Sequence, residues 1–207
     1  EGQLNLFSAN AADFRTQMRN ILSVAEIMTQ KYNVVATNPP YLSRFNPILK
    51  AFVNENYPDY KYDLFSVFIY RNFDFCKPDG YSGFMTPFVW MFIKNYQKLR
   101  EYIINNKSIT TLVQMEYSAF KEATVPICSF VLKNGSEAGK GLYFKLSEFT
   151  GGMKVQKEKI LEAIENPQKE YFFEATLENF KKIPGAPIAY WANNQLIKDF
   201  SNATSME

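Results

Sequence analysis

The chain has 207 residues, a formal net charge of +2 and 46% hydrophobic residues, enough apolar material for one domain with a small appendage. A charge this close to balance gives no overall electrostatic case for nucleic-acid binding, so such a function must rest on a local site. The chain contains no histidine, which excludes a Ser-His-Asp triad, a Cys-His pair and a histidine-ligated metal. We therefore expect no metal site.

The two cysteines and the N-terminal segment bear on where the protein works. Cys76 and Cys128 lie far apart in apolar surroundings, which predicts two buried thiols in a reducing cytosol. Residues 1–20 contain no long apolar run, and charged residues interrupt every apolar stretch before it reaches the length of a membrane span. We expect a soluble, cytoplasmic protein that does not contact membranes.

The first half of the chain predicts a helix, a strand and a second helical region. Apolar residues recur at helical spacing over residues 11–30, which predicts an amphipathic helix. Residues 32–37 form a β-branched run that stops at two prolines, and this predicts a buried strand that ends there. A loop with a short helix is expected over 45–60. The strongly apolar segment 63–76 predicts a helix terminated by the turn residues 77–80.

The next segments predict strands at 81–86, 110–116 and 125–133, with a helix at 96–105. Strands that alternate with helices imply a parallel sheet with helices on its faces. The last two strands have no crossover helix between them, so we expect an antiparallel end to the sheet.

After residue 134 the composition changes. Small residues over 135–141 predict a linker, residues 154–165 a charged helix, and residues 193–200 a further helix. We predict a first domain over residues 1–148, followed over 149–207 by a linker and the start of a second module.

The motif that indicates chemistry is Asn38-Pro39-Pro40-Tyr41, directly after the first predicted strand. Asn38 offers a neutral carbonyl acceptor, and the carbonyl of Pro39 is free to face a ligand because proline has no N–H for a local ladder. The proline rings fix the backbone, so the acceptors are preorganised, and Tyr41 supplies a flat face for stacking.

Such a loop suits methylation of an amine whose lone pair is delocalised. Two acceptors that hold the two amine hydrogens favour a more tetrahedral nitrogen and expose its lone pair, and a methyl group held in line by the fold can then be attacked. As a bare tetrapeptide the motif is often an ordinary loop. Its position at the carboxyl end of a buried strand, where ligands bind in open α/β sheets, favours the functional interpretation.

Residues 31–133 resemble the catalytic half of the adenine-specific, amino-group DNA methyltransferases, whose catalytic loop is Asn-Pro-Pro-Tyr. The resemblance implies an α/β fold: a partial Rossmann-like methyltransferase sheet (its C-terminal half) with an antiparallel end and a small helical or irregular tail. It also implies that Asn38, Pro39, Pro40 and Tyr41 are catalytic. Asn38 and Pro39 would bind the target amine, and Tyr41 would stack on the flipped base.

Three later elements match the same family in order and spacing. Asp63, Leu64 and Phe65 match the start of a helix near the adenine of the cofactor, S-adenosylmethionine, which implies that they bind it together with Asn38. Residues 80–87 resemble the glycine-rich turn and strand that follow. Phe120 resembles the second aromatic that contacts the flipped base. On composition alone, phenylalanines such as Phe65 and Phe120 are more often core residues than ligand contacts.

The tail around residues 183–191 resembles the start of the target-recognition region in large restriction-modification and BREX-type phage-defence methyltransferases. This implies double-stranded DNA as a partner, a catalytic half over 1–148, and a linker plus the start of target recognition over 149–207. The glycine-rich loop that holds the cofactor in this family has no convincing counterpart here. We therefore expect the chain to be part of a longer enzyme and to offer only part of the cofactor pocket.

Three alternatives stay open at this point. A glutamine-specific protein methyltransferase uses the same loop, although a compact one would end soon after the last strand of the sheet. An RNA-directed enzyme is a closer variant. A non-catalytic binding module belongs to a different class, and its phosphate contacts would come from basic residues, namely Arg44, Lys50, Lys94, Lys98 and Arg100.

Overall fold

A computed structural model describes residues 2–117 and 125–202 of the chain. Within these residues, six strands form one mixed sheet in the order β1-β2-β4-β3-β5-β6. The strands are β1 (Tyr32–Thr37), β2 (Cys76–Pro87), β3 (Ser108–Gln114), β4 (Ile127–Lys133), β5 (Lys140–Lys145) and β6 (Phe172–Thr176). The helices are α1 (Gly2–Thr29), α2 (Pro47–Asn56), α3 (Leu64–Arg71), α4 (Gln97–Asn106), α5 (Gly152–Glu165), α6 (Leu177–Lys181) and α7 (Asn194–Asn202).

The strand directions confirm the predicted α/β fold with an antiparallel end. β1 and β2 are parallel, whereas β4 is antiparallel both to β2 and to β3. β5 then pairs parallel to β3, and β6 pairs antiparallel to β5. Because β1 and β2 are parallel and adjacent, their carboxyl ends lie side by side at one edge of the sheet.

The predicted helix over 63–76 ends earlier than its apolar pattern indicated. Helix α3 stops at Arg71, a short 3-10 turn follows, and Cys76 already belongs to β2. The expected turn at 77–80 is an irregular part of β2, with Asp79 at a positive φ of 59°. A Cβ on Gly80 would lie 2.7 Å from the carbonyl oxygen of Asn33, so only glycine lets β2 pass this close to β1.

The main core lies on one face of the sheet. Alternate residues of β2 and β4, such as Phe84 and Phe130, point into it, as expected for the two-residue period of a strand. Helices α3 and α4 cover them with Phe65, Ile69 and Leu99. The burial of each such side chain contributes roughly 1.5–3 kcal/mol to folding.

The opposite face of the sheet is only partly covered. We call its central part, formed by Ala36, Gly83, Met85, Ser129 and Val131, the open face; Ala36 is exposed and the others are half-buried. The register places Ala36 beside Gly83 and Gly83 beside Val131, so these positions form one row across three strands.

Contrary to the prediction, strand β1 is not buried. In the part of the chain that the structure describes, β1 lies at the sheet edge and pairs with β2 alone, and Val34 is 65% exposed. Helix α1 contains residues 11–29 of the predicted range 11–30, but its apolar side chains, among them Phe14 and Leu22, are exposed. The apolar pattern was therefore interpreted correctly as helix and strand, but within the described residues nothing buries the exposed side chains of α1 and β1.

The segment after residue 134 contributes to the same sheet. Lys140 and Gly141, expected in a linker, begin β5, and β6 was not predicted. Phe180, Ile188 and Tyr190 belong to the main core. The domain boundary at residue 148 stays a prediction.

Both cysteines are free and buried, as predicted. Across the described ranges, no helix combines the length and apolar character that crossing a membrane requires.

Candidate active site

The Asn38–Tyr41 loop leaves the carboxyl end of β1 at the sheet edge shared with β2. The register pairs Thr37 with Phe84, which places the loop beside Met85. Asn38 is exposed, Pro39 is buried, and Tyr41 is 40% exposed. The loop therefore anchors its backbone through Pro39 and presents the Asn38 and Tyr41 side chains to solvent, as a substrate site at this edge requires.

The hydroxyl of Tyr41 contacts the side-chain oxygen of Asn38, the predicted acceptor. Its oxygen lies 3.2 Å from Oδ1 of Asn38 and 3.2 Å from the carbonyl oxygen of Met85. A phenol has one proton to donate, so the two acceptors compete for it. Burial raises the pKa of Tyr41, so the hydroxyl keeps its proton at neutral pH. Without a substrate, the Asn38 oxygen that would hold the target amine is thus within hydrogen-bond distance of the Tyr41 hydroxyl in the same loop.

Asp63 joins the loop to the start of α3. Its Oδ1 accepts hydrogen bonds from the backbone N–H of Leu42 at 3.0 Å and of Phe65 at 3.1 Å. The N–H of Leu64 in turn donates to the carbonyl oxygen of Leu42 at 2.9 Å. Burial raises the pKa of Asp63 above its usual range, and the hydrogen bonds from Phe65, Leu42 and Leu64 oppose that shift.

Leu64 is half-buried, whereas Phe65 is only 1% exposed. The Phe65 ring meets Tyr41 edge-on, with the centroids 6.5 Å apart, and lies 5.3 Å from the ring of Tyr96. In this arrangement Phe65 supports the Tyr41 ring from inside the core. The contact with cofactor that the resemblance implies for Asp63, Leu64 and Phe65 stays a prediction.

Phe120, the predicted second aromatic, lies outside the described residues. The segment 80–87 forms most of β2, as expected, and brings Gly83 and Met85 beside the loop. A shallow groove runs from Asn38 along the open face past Gly83 to Val131. Gly83 and Met85 belong to the segment that matched the family, whereas Val131 follows from no motif because strand pairing rather than local sequence brings it to this groove.

One of the basic residues considered for phosphate contact is unavailable for it. Arg100 is 1% exposed, and its guanidinium donates to the carbonyl oxygens of Trp90, Ile93, Gly185 and Ala186. The other four, Arg44, Lys50, Lys94 and Lys98, are exposed. Their charges can contact a phosphate, but nothing in their arrangement distinguishes them from an ordinary solvated surface.

Known proteins resemble this chain in sequence and in fold. The family model of the Eco57I restriction-modification methylase matches residues 3–120, more than half of the chain and the whole of the loop. The chain belongs to this methylase family.

The relatives of the chain are consistent with that membership. It is 32% identical over 203 residues to the adenine-specific methyltransferase PglX of Lacticaseibacillus casei (strain Zhang). The match covers 95% of this chain but 17% of that protein, so the chain spans about a sixth of the relative's length.

Two solved structures show the same fold at low identity. One is the methyltransferase subunit of a type I restriction-modification system from Streptococcus thermophilus, with a TM-score of 0.60 and 17% identity, covering 78% of this chain and 38% of that one. The other is a putative class I S-adenosylmethionine-dependent methyltransferase from Listeria monocytogenes, with a TM-score of 0.50 and 20% identity, covering 68% and 44%. The resemblance to a methyltransferase sheet is therefore confirmed.

Proposed function

We propose that this chain is the catalytic part of a longer protein that methylates the exocyclic amine of adenine in double-stranded DNA, for restriction-modification or phage defence. The methyl donor is S-adenosylmethionine. The observation that carries the proposal is the Asn38–Tyr41 loop at the carboxyl end of β1, with an exposed amide acceptor and a half-exposed ring on a backbone fixed by buried Pro39.

The chemistry of this loop is the positioning of an amine. Oδ1 of Asn38 and the carbonyl oxygen of Pro39 accept the two hydrogens of the target amine and turn its lone pair outward. When bound, S-adenosylmethionine supplies an electrophilic methyl group on a sulfonium. With its lone pair turned outward, the nitrogen would be placed to attack that methyl group, and the proton that it loses would pass to solvent. Asn38 remains neutral throughout, so a basic side chain is not needed.

Base flipping belongs to this proposal because an amine inside a duplex is out of reach. Extrusion of the base costs a few kcal/mol, and stacking on an aromatic ring returns roughly 1–3 kcal/mol per ring. Tyr41 has the exposure for this role. The incoming amine must take over the Asn38 oxygen, which displaces the Tyr41 hydroxyl to its other acceptor, the Met85 carbonyl. We propose Phe120 as the second ring.

The cofactor pocket is proposed to be incomplete in this chain. Asn38 and Leu64 leave atoms accessible beside the loop, whereas the carboxylate of Asp63 and the ring of Phe65 are buried. The exposed apolar surface of α1 and β1 supports the same view, because a parallel strand at a sheet edge is normally covered. The remaining part of the pocket would come from other segments of a longer protein.

The first experiment is a calorimetric titration of this chain with S-adenosylmethionine. We expect no binding at micromolar concentrations. Clear binding there would overturn the incomplete pocket, and the chain itself would then be assayed for methyl transfer.

The second experiment measures transfer of labelled methyl to an adenine-containing duplex by the longer protein. Asn38→Ala should reduce turnover by on the order of 100-fold or more, as does loss of a preorganised polar group at other active sites. The matched control is Asn54→Ala, an exposed position on α2, which should leave turnover unchanged. Methylation of RNA or of a glutamine-containing peptide instead of DNA would assign the substrate differently. DNA binding without any methyl transfer would identify a non-catalytic module.

A further inference from the structure

The Asn38–Tyr41 loop is bonded at its end to the first turn of α3. The N–H of Leu42, the residue after Tyr41, donates to Oδ1 of Asp63 at 3.0 Å. The carbonyl oxygen of Leu42 accepts from the N–H of Leu64 at 2.9 Å. The N–H and the carbonyl oxygen of Leu42 are therefore both hydrogen-bonded to the start of α3, much as residues of neighbouring strands bond to each other. These two bonds fix the end of the loop to the helix.

Asp63 does more here than cap a helix. An ordinary N-cap accepts from the backbone of its own helix, as Asn46 does from Leu49 at 2.9 Å at the start of α2. Asp63 makes the equivalent bond to Phe65 at 3.1 Å, and the same oxygen also accepts the N–H of Leu42, a residue 21 positions earlier in the chain. One buried oxygen thus fixes the helix start relative to the catalytic loop.

The side chain is placed to hold the loop and is poorly placed to meet a ligand. Asp63 is 8% exposed, and its Oδ1 is occupied by two backbone donors. With Oδ1 shared between these two N–H groups, the anchor requires an acceptor oxygen at this position.

The anchor also sets the ring of Tyr41. Phe65, one residue into α3, is buried and meets the Tyr41 ring edge-on with centroids 6.5 Å apart. Movement of the α3 start away from Leu42 would move Phe65 away from Tyr41 together with it. The position of the stacking ring and that of the loop backbone therefore depend on the same carboxylate.

We propose that Asp63 is a positioning residue that holds the Asn38–Tyr41 loop in its reactive geometry by accepting the N–H of Leu42. It acts through the loop rather than as a direct cofactor ligand. This inference rests on the proposed methyltransferase function, and it gives Asp63 a role different from the cofactor contact that the resemblance implies.

The test compares three variants of the longer protein in the methyl-transfer assay. Asp63→Ala removes the acceptor and should reduce kcat by on the order of 10- to 100-fold, because a misplacement of about 1 Å costs that much, while KM for S-adenosylmethionine stays within about twofold. Asp63→Asn keeps an acceptor oxygen and should restore most of kcat. Asn46→Ala removes the ordinary cap of α2 and should leave kcat unchanged. A cofactor ligand would show the opposite split, with a raised KM and little change in kcat, and this would overturn the proposal.

A second measurement on this chain separates the inference from the proposed function. Hydrogen exchange of the Leu42 amide should become at least about tenfold faster in Asp63→Ala than in the parent chain or in Asn46→Ala. In Asp63→Asn it should remain slow. If the unaltered longer protein methylates nothing, the proposed function fails, yet the exchange pattern still reports on the anchor. Unchanged protection of Leu42 in Asp63→Ala shows that the carboxylate does not hold the loop.

Discussion

At the scale of single residues, Asn38 and Tyr41 satisfy each other in the absence of a substrate. The Tyr41 hydroxyl lies 3.2 Å from Oδ1 of Asn38, so this acceptor has a hydrogen-bond donor within the loop and does not depend on water for one. In the proposed reaction, an incoming amine would replace this contact, and the hydroxyl would keep its contact with the Met85 carbonyl, also 3.2 Å away. The exchange costs little because the hydroxyl keeps one hydrogen bond before and after.

Two substitutions test the ring and the hydroxyl of Tyr41 separately. In the longer protein, Tyr41→Phe keeps the stacking face and frees Asn38, so kcat/KM for the DNA should stay within a few-fold of the unaltered value. Tyr41→Ala loses roughly 1–3 kcal/mol of stacking. At 1.36 kcal/mol per factor of ten, that is a fall in kcat/KM of roughly 5- to 160-fold. Steady-state kinetics on an adenine duplex gives both numbers; equal losses in both variants would contradict a stacking role.

The buried carboxyl of Asp63 gives the stability of the chain a pH dependence of known sign. Because its pKa is raised in the folded chain, the folded state binds a proton there more readily than the unfolded state does. Its contribution to the free energy of unfolding is complete below the ordinary pKa of an aspartate and is lost as pH rises through the raised pKa. We expect denaturant titrations between pH 3 and 7 to show that the free energy of unfolding of the parent chain falls, relative to that of Asp63→Asn, as pH rises. A relative gain with rising pH would mean that the pKa is lowered.

At the scale of elements, close backbone approach decides where glycine is required. Gly141 in β5 has the carbonyl oxygen of Ile109 only 2.4 Å from the place of a Cβ, whereas no heavy atom lies within 4 Å of that place at Gly139, just before the strand. The two glycines look alike in the sequence. Only the pairing of β5 with β3 distinguishes them.

Alanine substitution at these two glycines should therefore have opposite consequences. Gly141→Ala forces the strands apart and should lower the free energy of unfolding by roughly 1–3 kcal/mol. Gly139→Ala meets nothing and restricts the unfolded chain, so its effect should be neutral or stabilising by up to about 1 kcal/mol. Urea denaturation followed by circular dichroism measures both. Similar losses in the two variants would argue against the observed register of β5.

Arg100 links α4 to two loops that the sequence leaves unconnected. Its guanidinium donates to Trp90 and Ile93 after β2, and to Gly185 and Ala186 in the turn near the C-terminus. Burial lowers the pKa of Arg100, but the four backbone carbonyls satisfy its donors. Arg100 is one of the contacts that hold the turn at residues 183–187 against α4 and the segment after β2.

Loss of this guanidinium should be costly. Arg100→Ala leaves buried carbonyl oxygens without a donor and should reduce the free energy of unfolding by about 3 kcal/mol or more. Arg100→Lys offers a single ammonium in place of the planar fork and should recover only part of that. Lys98→Ala, at an exposed position on the same helix, is the control and should change stability by less than about 0.5 kcal/mol. Thermal unfolding of the three variants checks the ranking.

At the scale of the whole molecule, an exposed apolar surface lies at the β1 end of the sheet. Val34 on β1 and the apolar side chains of α1 lie there, and the open face runs next to them. Since the chain spans about a sixth of the relative's length, further segments are available in such a protein to cover this surface. The net charge of the chain is only +2, so electrostatics gives no other explanation for this exposed apolar surface.

A lysine placed at Val34 tests whether this end is covered. In this chain Val34→Lys should change the free energy of unfolding by no more than about 0.5 kcal/mol, because the side chain is 65% exposed. In the longer protein the same change should lower stability and methyl transfer, since a charge would enter a buried contact. Ile164→Lys, 62% exposed on α5 at the other end of the sheet, is the control for both proteins. An equal, small effect of Val34→Lys in both would show that β1 is exposed in the longer protein as well.

Prediction from sequence succeeded where the determining interactions are local. The strand at Tyr32–Thr37 and its stop at the prolines were predicted with the correct bounds, because β-branched residues and proline act on their own backbone. It failed for β5 and β6, neither of which was predicted, because their pairing partners are distant in the chain. The burial of Arg100 was missed for the same reason.

The sequence by itself determined the fold class and the family, and it predicted the catalytic loop, because Asn38–Tyr41 and the alternation of helix and strand lie in consecutive residues. Only the tertiary structure decided that Asp63 anchors Leu42, that Tyr41 occupies the Asn38 acceptor, and that β1 lies exposed at a sheet edge. The physical reason is that hydrogen bonds and burial depend on which groups meet in space. Leu42 and Asp63 are 21 positions apart in the chain, so no local pattern records that bond.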